Sequence, residues 1–390
     1  MKTKSNAEFD RHPFHSMCSY IGCFPPRVPR MILENWVGRR TTVIDPFCGS
    51  GTTLVEAQFA GSRAVGVDLN PLAIAITRAK LAPVSHDDVL FRLNEISREF
   101  RGHDEDEDVP DGIRIIYHPR TLAQLCYLRR VLDPSRHEDT LLIGALLGIM
   151  HGKFRRDGTT AYLSIDMPNT FSMSPNYVRG FVRKHRLRQA PADVFAKLRQ
   201  RLDWLYRQGP IPARAPSLVV EGDATRLPDL LERHGVRPGA IVTSPPYLGI
   251  LRYGAFNWIR LWLLREEQYR IDRILDGTDS FDRYLGFMAS FLRAASEVMP
   301  VDAPVALVIG DVVENEQYVR LAERVWEELG GLLPFDLVRL EANRFDVTTK
   351  TTRIWGEEKK GRATPVDRIL VLKRRSRVTR RPRGRLARTG

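Results

Sequence analysis

The chain has 390 residues, and its 60 Lys and Arg against 47 Asp and Glu give a formal net charge of +13. This length suits one large domain or two moderate ones, and 43% hydrophobic residues exclude a disordered chain. Four cysteines exclude a disulfide scaffold and suit a reducing cytosol. The apolar run at 141–150 is too short for a membrane span, and residues 1–5 have no apolar signal core behind them. We therefore expect a cytoplasmic protein without a membrane partner.

The positive charge is concentrated in two patches. Residues 373–390 carry +9 with no acids, and residues 151–210 carry +8, so the remainder is slightly acidic. Such patches attract polyanions in a salt-dependent way. The alternative is a solvated face and a frayed basic tail.

The predicted strands are short, rich in Val and Ile and without polar alternation, as in strands buried on both faces of a parallel sheet. They cover 42–45, 64–68, 218–222, 240–243, 305–311, 335–340 and 366–372. Helical segments such as 52–60 and 281–298 separate several of them, which predicts a doubly wound α/β sheet. The last two strands are placed to form an antiparallel hairpin.

The interval 82–216 is too long for a simple βα connection. It opens with an acidic run at 104–108, which we expect to be an exposed loop, and then predicts helices over 119–132, 140–150, 175–185 and 191–207. Ser174 and Pro175 form a good helix start. We interpret the interval as an inserted, basic, mainly helical domain between core halves at 1–81 and 217–372, with a tail at 373–390.

A glycine-rich turn follows the first predicted strand. Asp45 ends that strand, and Gly49-Ser50-Gly51 leads into a helix whose N–H groups can face an anionic or polar ligand. The turn lacks the Gly-Lys-Ser/Thr of an NTPase loop, and Leu54 stands where a dinucleotide fingerprint has its third glycine. Asp68 ends the next strand, at a distance suited to ribose hydroxyls. The pattern predicts a nucleoside-containing cofactor other than a pyrophosphate dinucleotide.

A second motif, Ser244-Pro245-Pro246-Tyr247, follows the buried run 240–243 directly. Two prolines remove two N–H groups and stiffen the chain, which holds Ser and Tyr in fixed directions. This edge of an open α/β sheet is where ligands bind. The alternative is a Pro-rich loop with a packed Tyr.

Together the two motifs resemble those of S-adenosylmethionine-dependent amino-methyltransferases of DNA, which methylate N4 of cytosine or N6 of adenine. The Asp45 run resembles the family's cofactor loop, and the Ser244 motif resembles the cytosine-N4 form of its catalytic motif. The adenine-N6 form more often has Asp or Asn at the position of Ser244. The resemblance covers roughly residues 12–80 and 217–372 and implies a Rossmann-like methyltransferase sheet, mostly parallel with a C-terminal antiparallel hairpin. Unlike the commonest Ser-Pro-Pro-Tyr members, the cofactor half comes first here.

The resemblance implies a role for each matched residue. S-adenosylmethionine would be held by Asp45, Pro46, Phe47, Gly49, Ser50, Gly51, Thr52 and Thr53 at its methionine end, by Asp68 and Asn70 at the ribose, and by Asp223 and Ala224 at the adenine. Residues 13–30 would complete the methionine pocket. The target base would be held by Ser244, Pro245, Pro246 and Tyr247.

The chemistry of methyl transfer to an exocyclic amine fits these residue types. The amine is a weak nucleophile because its lone pair is delocalised into the ring. The Ser244 oxygen and the Pro245 carbonyl could accept hydrogen bonds from the two N–H groups of the amine. The methyl group would then transfer to the nitrogen directly in line, without a covalent intermediate. Tyr247 would stack on a base flipped out of the duplex.

Basic residues interleaved with aromatic ones suggest contacts to double-stranded DNA. They are Lys153, Arg155, Arg156, Arg179, Arg183 and Lys184. Arg252, which follows the Ser244 motif, is a further candidate DNA contact that could line the base pocket. A solvated helix face is the alternative. No metal is expected, because His12, His15, Cys18 and Cys23 lack a standard zinc spacing.

The leading hypothesis is a site-specific cytosine-N4 DNA methyltransferase of a bacterial or archaeal restriction–modification or defence system. It would be associated with the nucleoid, and a cognate restriction endonuclease would act on the same site without direct contact. Three alternatives remain open, namely adenine-N6 specificity, methylation of RNA or tRNA bases, and a non-enzymatic DNA-binding module.

Overall fold

The computed structural model describes residues 11–102, 108–152, 161–167, 174–246, 248, 253–275, 278, 280–314, 317–344 and 363–376. Nearly all of the predicted acidic loop at 104–108 and most of the basic tail lie outside these ranges. No helix in the described ranges is long and apolar enough to cross a membrane.

The chain alternates strands and helices at both ends and is helical between them. The strands are β1 (Thr42–Asp45), β2 (Arg63–Asp68), β3 (Leu218–Glu221), β4 (Ala240–Thr243), β5 (Pro304–Glu314), β6 (Gln317–Val319), β7 (Phe335–Arg344) and β8 (Ala363–Arg374). The helices of the first half are α1 (Arg27–Trp36), α2 (Thr52–Phe59), α3 (Pro71–Leu81), α4 (His86–Glu99), α5 (Asp111–Ile116), α6 (Pro119–Val131) and α7 (His137–Ile149). Those of the second half are α8 (Pro175–His185), α9 (Val194–Leu205), α10 (Leu227–Arg233), α11 (Tyr253–Leu263), α12 (Gln268–Ile274), α13 (Phe281–Val298) and α14 (Leu321–Leu329).

The strands form one sheet in the order β3-β2-β1-β4-β5-β8-β7, and the short β6 pairs with β5. Neighbours from β3 to β5 are parallel, whereas β8 is antiparallel to both β5 and β7. The predicted doubly wound sheet with a C-terminal antiparallel hairpin is confirmed, and the fold is a Rossmann-like α/β fold. β5, β7 and β8 are longer than predicted, because their pairing continues past the apolar stretches.

The order of the strands reverses between β1 and β4. From β1 the chain proceeds outward through β2 and β3, whereas β4 is followed by β5 on the other side. The two central strands pair in register, with Val43 opposite Ala240 and Ile44 opposite Ile241. Such a reversal opens a crevice at the carboxyl ends of the two strands, which is the usual ligand site of open α/β sheets.

The core explains why the central strands lack polar alternation. Ile44, Ile241 and Leu307 belong to one apolar cluster with α10, α13 and α14. Their neighbours Val43 and Val242 face the opposite side and pack against α1 and α2. Both faces are therefore buried, as parallel strands require.

The helices of the interval 82–216 share an apolar core with helices that flank the sheet. Residues of α4 to α9 form one cluster with α3 and α11. The four helices predicted in this interval are confirmed with small shifts of their ends, whereas α4 and α5 were not predicted. Helix α9 begins at Val194, because Asp193 accepts hydrogen bonds from the Phe195 and Ala196 N–H groups. Ser174 caps α8 as predicted, by accepting from the Tyr177 N–H.

Glycines let α7 approach its neighbours closely. A Cβ at Gly144 would overlap Ala79 of α3, and a Cβ at Gly148 would overlap the Met17 carbonyl. Backbone cannot move aside as a flexible side chain can, so larger residues at Gly148 would force α7 away from the segment that precedes the sheet.

Replacing Gly148 with Ala should therefore lower the free energy of unfolding, by about 1–3 kcal/mol, as expected for overpacking. The matched control is Gly286→Ala in α13, where no heavy atom of the described residues lies within 4 Å of the added Cβ. That exchange should leave stability unchanged or raise it by up to about 1 kcal/mol. Urea denaturation of both variants measures the difference, and equal stabilities would contradict the packing described here.

Candidate active site

The turn after β1 adopts a conformation that suits glycine. Gly49 has φ +48° and Gly51 has φ +75°, both in the left-handed region. The Gly51 N–H donates to the Cys48 carbonyl at 2.7 Å, and a Cβ at Gly51 would lie 2.8 Å from Thr77 Cγ2. No side chain of the described residues caps α2, which begins at Thr52, so its N-terminus faces the turn uncapped.

Two side chains of α3 hold this turn through its carbonyl groups. Thr77 Oγ1 donates to the Gly49 carbonyl at 2.8 Å, and Lys80 Nζ donates to the Ser50 carbonyl at 2.5 Å. Lys80 is fully buried, and this burial lowers its pKa to about 8. The turn is thus fixed by residues that lie 26 positions or more further along the chain than Gly51.

Asp68 is tied to the turn by backbone hydrogen bonds. Its Oδ2 accepts from the Gly49 N–H at 2.8 Å, and its Oδ1 accepts from the Asn70 N–H at 2.9 Å. Burial raises the pKa of Asp68 to about 6, against these hydrogen bonds. Asn70 caps α3 through Leu72 N–H and donates to the Tyr20 hydroxyl at 2.9 Å. The predicted ribose residues therefore lie directly beside the glycine turn.

Asp45 connects the two motifs. Its side chain is fully buried and accepts hydrogen bonds from the Thr243 hydroxyl, at the end of β4, and from the Phe47 N–H. Burial raises the pKa of Asp45 to about 6, although these hydrogen bonds favour the charged form. The ends of β1 and β4 are consequently joined across the point where the strand order reverses.

Ser244 follows Thr243 and carries an unsatisfied polar group. Its hydroxyl oxygen is buried and has no hydrogen-bond partner in the described part of the chain. Pro245 is buried and Pro246 is exposed, and neither has an N–H group to offer. A buried polar atom without a partner costs free energy, and in a native structure it calls for an explanation. A ligand in the crevice would provide the missing partner.

The segment before β1 covers the glycine turn. Cys23 Sγ lies 2.9 Å from Ser50 Oγ. The Tyr20 ring lies beside Gly49 and stacks on Tyr253, the first residue of α11, with a centroid distance of 5.8 Å. The turn is therefore enclosed between this segment and α3.

Glu56 of α2 anchors the covering segment. The buried Glu56 carboxylate accepts from His15 Nε2 at 2.8 Å and from Arg30 Nε at 2.8 Å. Burial lowers the pKa of His15 to about 4, so its ring is neutral at pH 7 and donates Nε2–H. Burial alone would raise the pKa of Glu56, but the hydrogen bonds from His15 and Arg30 lower it. The described residues include no cluster of His, Cys, Asp and Glu suited to a metal ion.

The third predicted cofactor contact is close to Asp68. At the end of β3 the Gly222 N–H donates to the Asp68 carbonyl at 3.0 Å. Asp223 accepts from the Thr225 N–H and hydroxyl, both at 2.8 Å, and Ala224 is buried against the apolar core. Their contact with an adenine ring remains a prediction.

The other predicted residues fall into two groups. Arg179, Arg183 and Lys184 are exposed on α8. Lys153, Arg155, Arg156, Tyr247 and Arg252 lie outside the described residues.

Sequence patterns did not point to several residues that shape the site. Thr77 and Lys80 lie in α3, whose sequence is mostly apolar. The one sequence signal for their role is a lysine within an apolar segment. Tyr20 and Cys23 lie in the segment that was expected to cover the pocket. The Thr243 hydroxyl had no motif of its own.

Comparison with known proteins finds a DNA methylase family model and a methyltransferase relative that each match part of the chain. Residues 2–79 match the family model described as DNA methylase. Over 143 residues the chain is 35% identical to the type II methyltransferase M.MjaII of Methanocaldococcus jannaschii. This match covers 35% of the chain and 26% of the relative, so the chain spans about a quarter of that relative's length.

Solved structures resemble the chain only weakly. TrmN from Thermus thermophilus is 13% identical with a TM-score of 0.35, and 93% of this chain and 52% of TrmN are covered. The rRNA methyltransferase AviRa from Streptomyces viridochromogenes is 13% identical with a TM-score of 0.37, with coverage of 96% and 94%. Similarities of this size carry no conclusion about function.

The buried contact between His15 and Glu56 predicts that the stability of the protein depends on pH. His15 has a lowered pKa in the folded protein, so between pH 6.5 and about 4 the unfolded chain binds one proton more. The contribution of His15 to the free energy of unfolding should therefore fall as the pH falls through this window. His15→Gln should remove about 1.4 kcal/mol per pH unit of that dependence near pH 5.

Urea denaturation at pH 7 and pH 5 measures this difference. The control is the same exchange at the exposed His137 of α7. An unchanged pH dependence in His15→Gln would show that the ring is not held neutral against Glu56.

Proposed function

We propose that this protein is an S-adenosylmethionine-dependent DNA methyltransferase that acts on an exocyclic amino group, in the first place N4 of cytosine. The observation that carries the proposal is the buried Ser244 hydroxyl directly after β4, which has no hydrogen-bond partner among the described residues and lies next to the hydrogen bond between Thr243 and Asp45. An acceptor for the target base thereby stands beside the glycine turn expected to hold the cofactor. The match of residues 2–79 to DNA methylases and the type II methyltransferase relative support this assignment.

The residues at the turn fit S-adenosylmethionine. The left-handed Gly49 and Gly51 keep side chains out of the turn, and the uncapped start of α2 offers N–H groups to the methionine end. That end would be held by Asp45, Pro46, Phe47, Gly49, Ser50, Gly51, Thr52 and Thr53. Asp68 and Asn70 would take the ribose, and Asp223 and Ala224 would take the adenine. When bound, the cofactor supplies an electrophilic methyl group on a sulfonium centre.

Ser244 and Pro245 would prepare the target amine. The Ser244 oxygen and the Pro245 carbonyl would accept hydrogen bonds from the two N–H groups of the amine. These hydrogen bonds would draw the nitrogen toward tetrahedral geometry and free its lone pair. With the cofactor bound, Ser244 and Pro245 would hold the amine in position for in-line transfer of the methyl group, with S-adenosylhomocysteine as the leaving group and the loss of one N–H proton to solvent. Positioning and hydrogen bonding do this work, so no covalent intermediate is required.

The base must leave the double helix to reach this crevice. Exocyclic amines are paired inside a duplex, so the proposal includes base flipping, with Tyr247 and Pro246 holding the base. Phosphate contacts would come from Lys153, Arg155, Arg156, Arg179, Arg183, Lys184 and Arg252. Ser244 favours cytosine N4 over adenine N6, because the adenine enzymes that the motif resembles more often carry Asp or Asn there.

The cellular setting follows from this chemistry. A site-specific DNA methyltransferase would protect DNA in a bacterial or archaeal restriction–modification or related defence system. A cognate endonuclease would then act on the same site without binding this protein. The expected location is the cytoplasm, in association with the nucleoid.

Nucleoside mass spectrometry after incubation with S-adenosylmethionine and DNA of varied sequence tests the function. N4-methylcytosine is expected, and Ser244→Ala should lower the rate of transfer about 100-fold, because one acceptor at the reacting nitrogen is lost. Binding of duplex DNA should change little.

The control is Ser290→Ala, which removes an exposed hydroxyl on α13. N6-methyladenine would replace the cytosine assignment, and methyl transfer to RNA but not to DNA would overturn the DNA assignment. Full activity of Ser244→Ala would exclude the role of this hydroxyl.

A second prediction concerns the pH dependence of cofactor binding. Asp68 has a raised pKa of about 6, so lowering the pH from 7.5 to 5.5 protonates most of it. A protonated carboxyl accepts fewer hydrogen bonds from ribose hydroxyls, and the affinity for S-adenosylhomocysteine should fall about fourfold through Asp68. Isothermal titration calorimetry at both pH values measures the affinity for S-adenosylhomocysteine.

Asp68→Asn should bind more weakly already at pH 7.5 and show a smaller dependence on pH. The dependence that remains would report Asp45, which also has a pKa of about 6. The exposed Asp229→Asn is the control. The role of Asp68 would be excluded if Asp68→Asn bound the ligand like the unchanged protein.

A further inference from the structure

Helix α8 stands out because most of its surface is exposed. Of its 11 residues only Val178 is fully buried. Between 174 and 190 the chain carries five Lys and Arg and no acid. Four of these cations are Arg179, Arg183, Lys184 and Arg186, and all four side chains are exposed. A surface of this charge repels a second copy of itself and attracts a polyanion.

A glycine lies in the middle of the exposed face. Gly180 is exposed, and no heavy atom of the described residues lies within 4 Å of a Cβ added there. Glycine in a helix interior costs about 1 kcal/mol relative to alanine, so it weakens this helix without a packing reason in the described structure. It leaves a gap in which the backbone of a partner can approach α8 closely.

Rings line one side of this gap. Tyr177 is 44% exposed and stacks on Phe181 with a centroid distance of 6.1 Å and an interplanar angle of 19°. The Phe181 ring lies 4.3 Å from the His185 ring. At 100° per residue these three positions, four apart, form a row on one flank, and Arg179 and Arg183 occupy the other flank.

The end of α8 carries a cation at the expense of backbone strain. Arg186, which ends the helix, has φ +49° and ψ +41°, in the left-handed region where glycine is usual. Non-glycine residues in this region are uncommon, and such outliers cluster at functional sites. The exposed guanidinium extends the cationic flank by a further residue.

The beginning of α8 is connected to the candidate active site through α5 and α11. A Cβ on Gly112 of α5 would lie 3.1 Å from the Trp258 ring of α11 and 3.3 Å from Pro175, the first residue of α8. Tyr253, five residues before Trp258, stacks on the Tyr20 ring that covers the glycine turn. Helix α11 therefore lies against the start of α8 near Trp258 and against the covering segment at Tyr253.

We propose that the exposed face of α8 is the docking surface for duplex DNA, with a sugar–phosphate backbone seated at Gly180. Arg179, Arg183 and Arg186 bind phosphates on one flank, and the stacked rings of Tyr177 and Phe181 contact the duplex on the other. This inference rests on the proposed function, which supplies the need to hold a duplex beside the crevice. Beyond the proposed function, it specifies that α8 binds the duplex, that its exposed face does so, and that Gly180 is the point of closest contact.

Two exchanges separate docking from folding. Gly180→Leu fills the gap with a better helix former, so the melting temperature should stay or rise while the affinity for a fluorescent duplex falls about tenfold. Gly180→Ala should act in the same direction with a smaller effect. Arg186→Gly removes both the strain and the cation, so stability is kept and binding weakens.

Salt dependence tests the phosphate contacts. In the double variant Arg179→Ala/Arg183→Ala, the slope of log K against log salt should fall in magnitude by about 1.8, at about 0.9 for each lost contact. Fluorescence anisotropy on the full chain gives both affinities and slopes. Gly286→Leu and Gly286→Ala in α13 are matched controls, because Gly286 is also exposed within a helix with open space around it.

Each outcome decides the proposal. Wild-type affinity and salt slope in all α8 variants would overturn it, as would a loss confined to structured RNA with duplex binding unchanged. The proposed function fails separately, if the unchanged protein methylates no DNA. DNA that is methylated equally by the unchanged protein and by Gly180→Leu would remove the docking surface and leave the function in place.

Discussion

The candidate site depends on one buried hydrogen bond, from the Thr243 hydroxyl to the Asp45 carboxylate. The two residues are 198 positions apart, yet each ends one of the two central strands of the sheet. A hydrogen bond to a buried carboxylate contributes about 1.5–3 kcal/mol and fixes the orientation of both partners. It keeps the glycine turn after β1 and the Ser-Pro-Pro segment after β4 in one arrangement. The glycine turn and the Ser244 hydroxyl, which has no partner among the described residues, therefore follow two strand ends that are joined to each other.

The glycine turn is held by hydrogen bonds to residues from other segments of the chain. Its carbonyl groups accept from Thr77 and Lys80 of α3, and its Gly49 N–H donates to Asp68. Burying a charged lysine costs free energy unless its N–H groups donate hydrogen bonds. The lowered pKa of Lys80 reflects this cost of burial. On the other side, Glu56 anchors the covering segment through His15 and Arg30. The polar groups of the turn are therefore held by other parts of the chain, and such preorganisation reduces the entropy lost when a ligand binds.

The sequence predicted the sheet and its order of elements well, because its central strands are buried on both faces and so read as apolar runs of the right length. The ends of β5, β7 and β8 and the start of α9 were missed by a few residues, since they depend on strand pairing and on the Asp193 cap. The candidate site could be picked out where its residues are consecutive, at Gly49–Gly51 and at Ser244–Pro246, and the roles of these residues stay predictions. Thr77, Lys80, Tyr20 and Thr243 were not singled out, because their contacts join segments that lie far apart in the chain.

By itself, the sequence determined the alternation of strands and helices typical of a doubly wound α/β sheet, the two motifs that follow buried strands, and the division of the +13 charge into a basic interval at 151–210, a basic tail and a slightly acidic remainder. These properties follow from local composition and from hydrophobic spacing, which need no partner residue. Only the tertiary structure decided that Asp45 meets Thr243 and that the insert shares its apolar core with α3 and α11. It also decided which face of α8 remains exposed. Contacts of this kind are set by how distant segments close-pack and satisfy buried polar groups, which no single stretch of sequence contains.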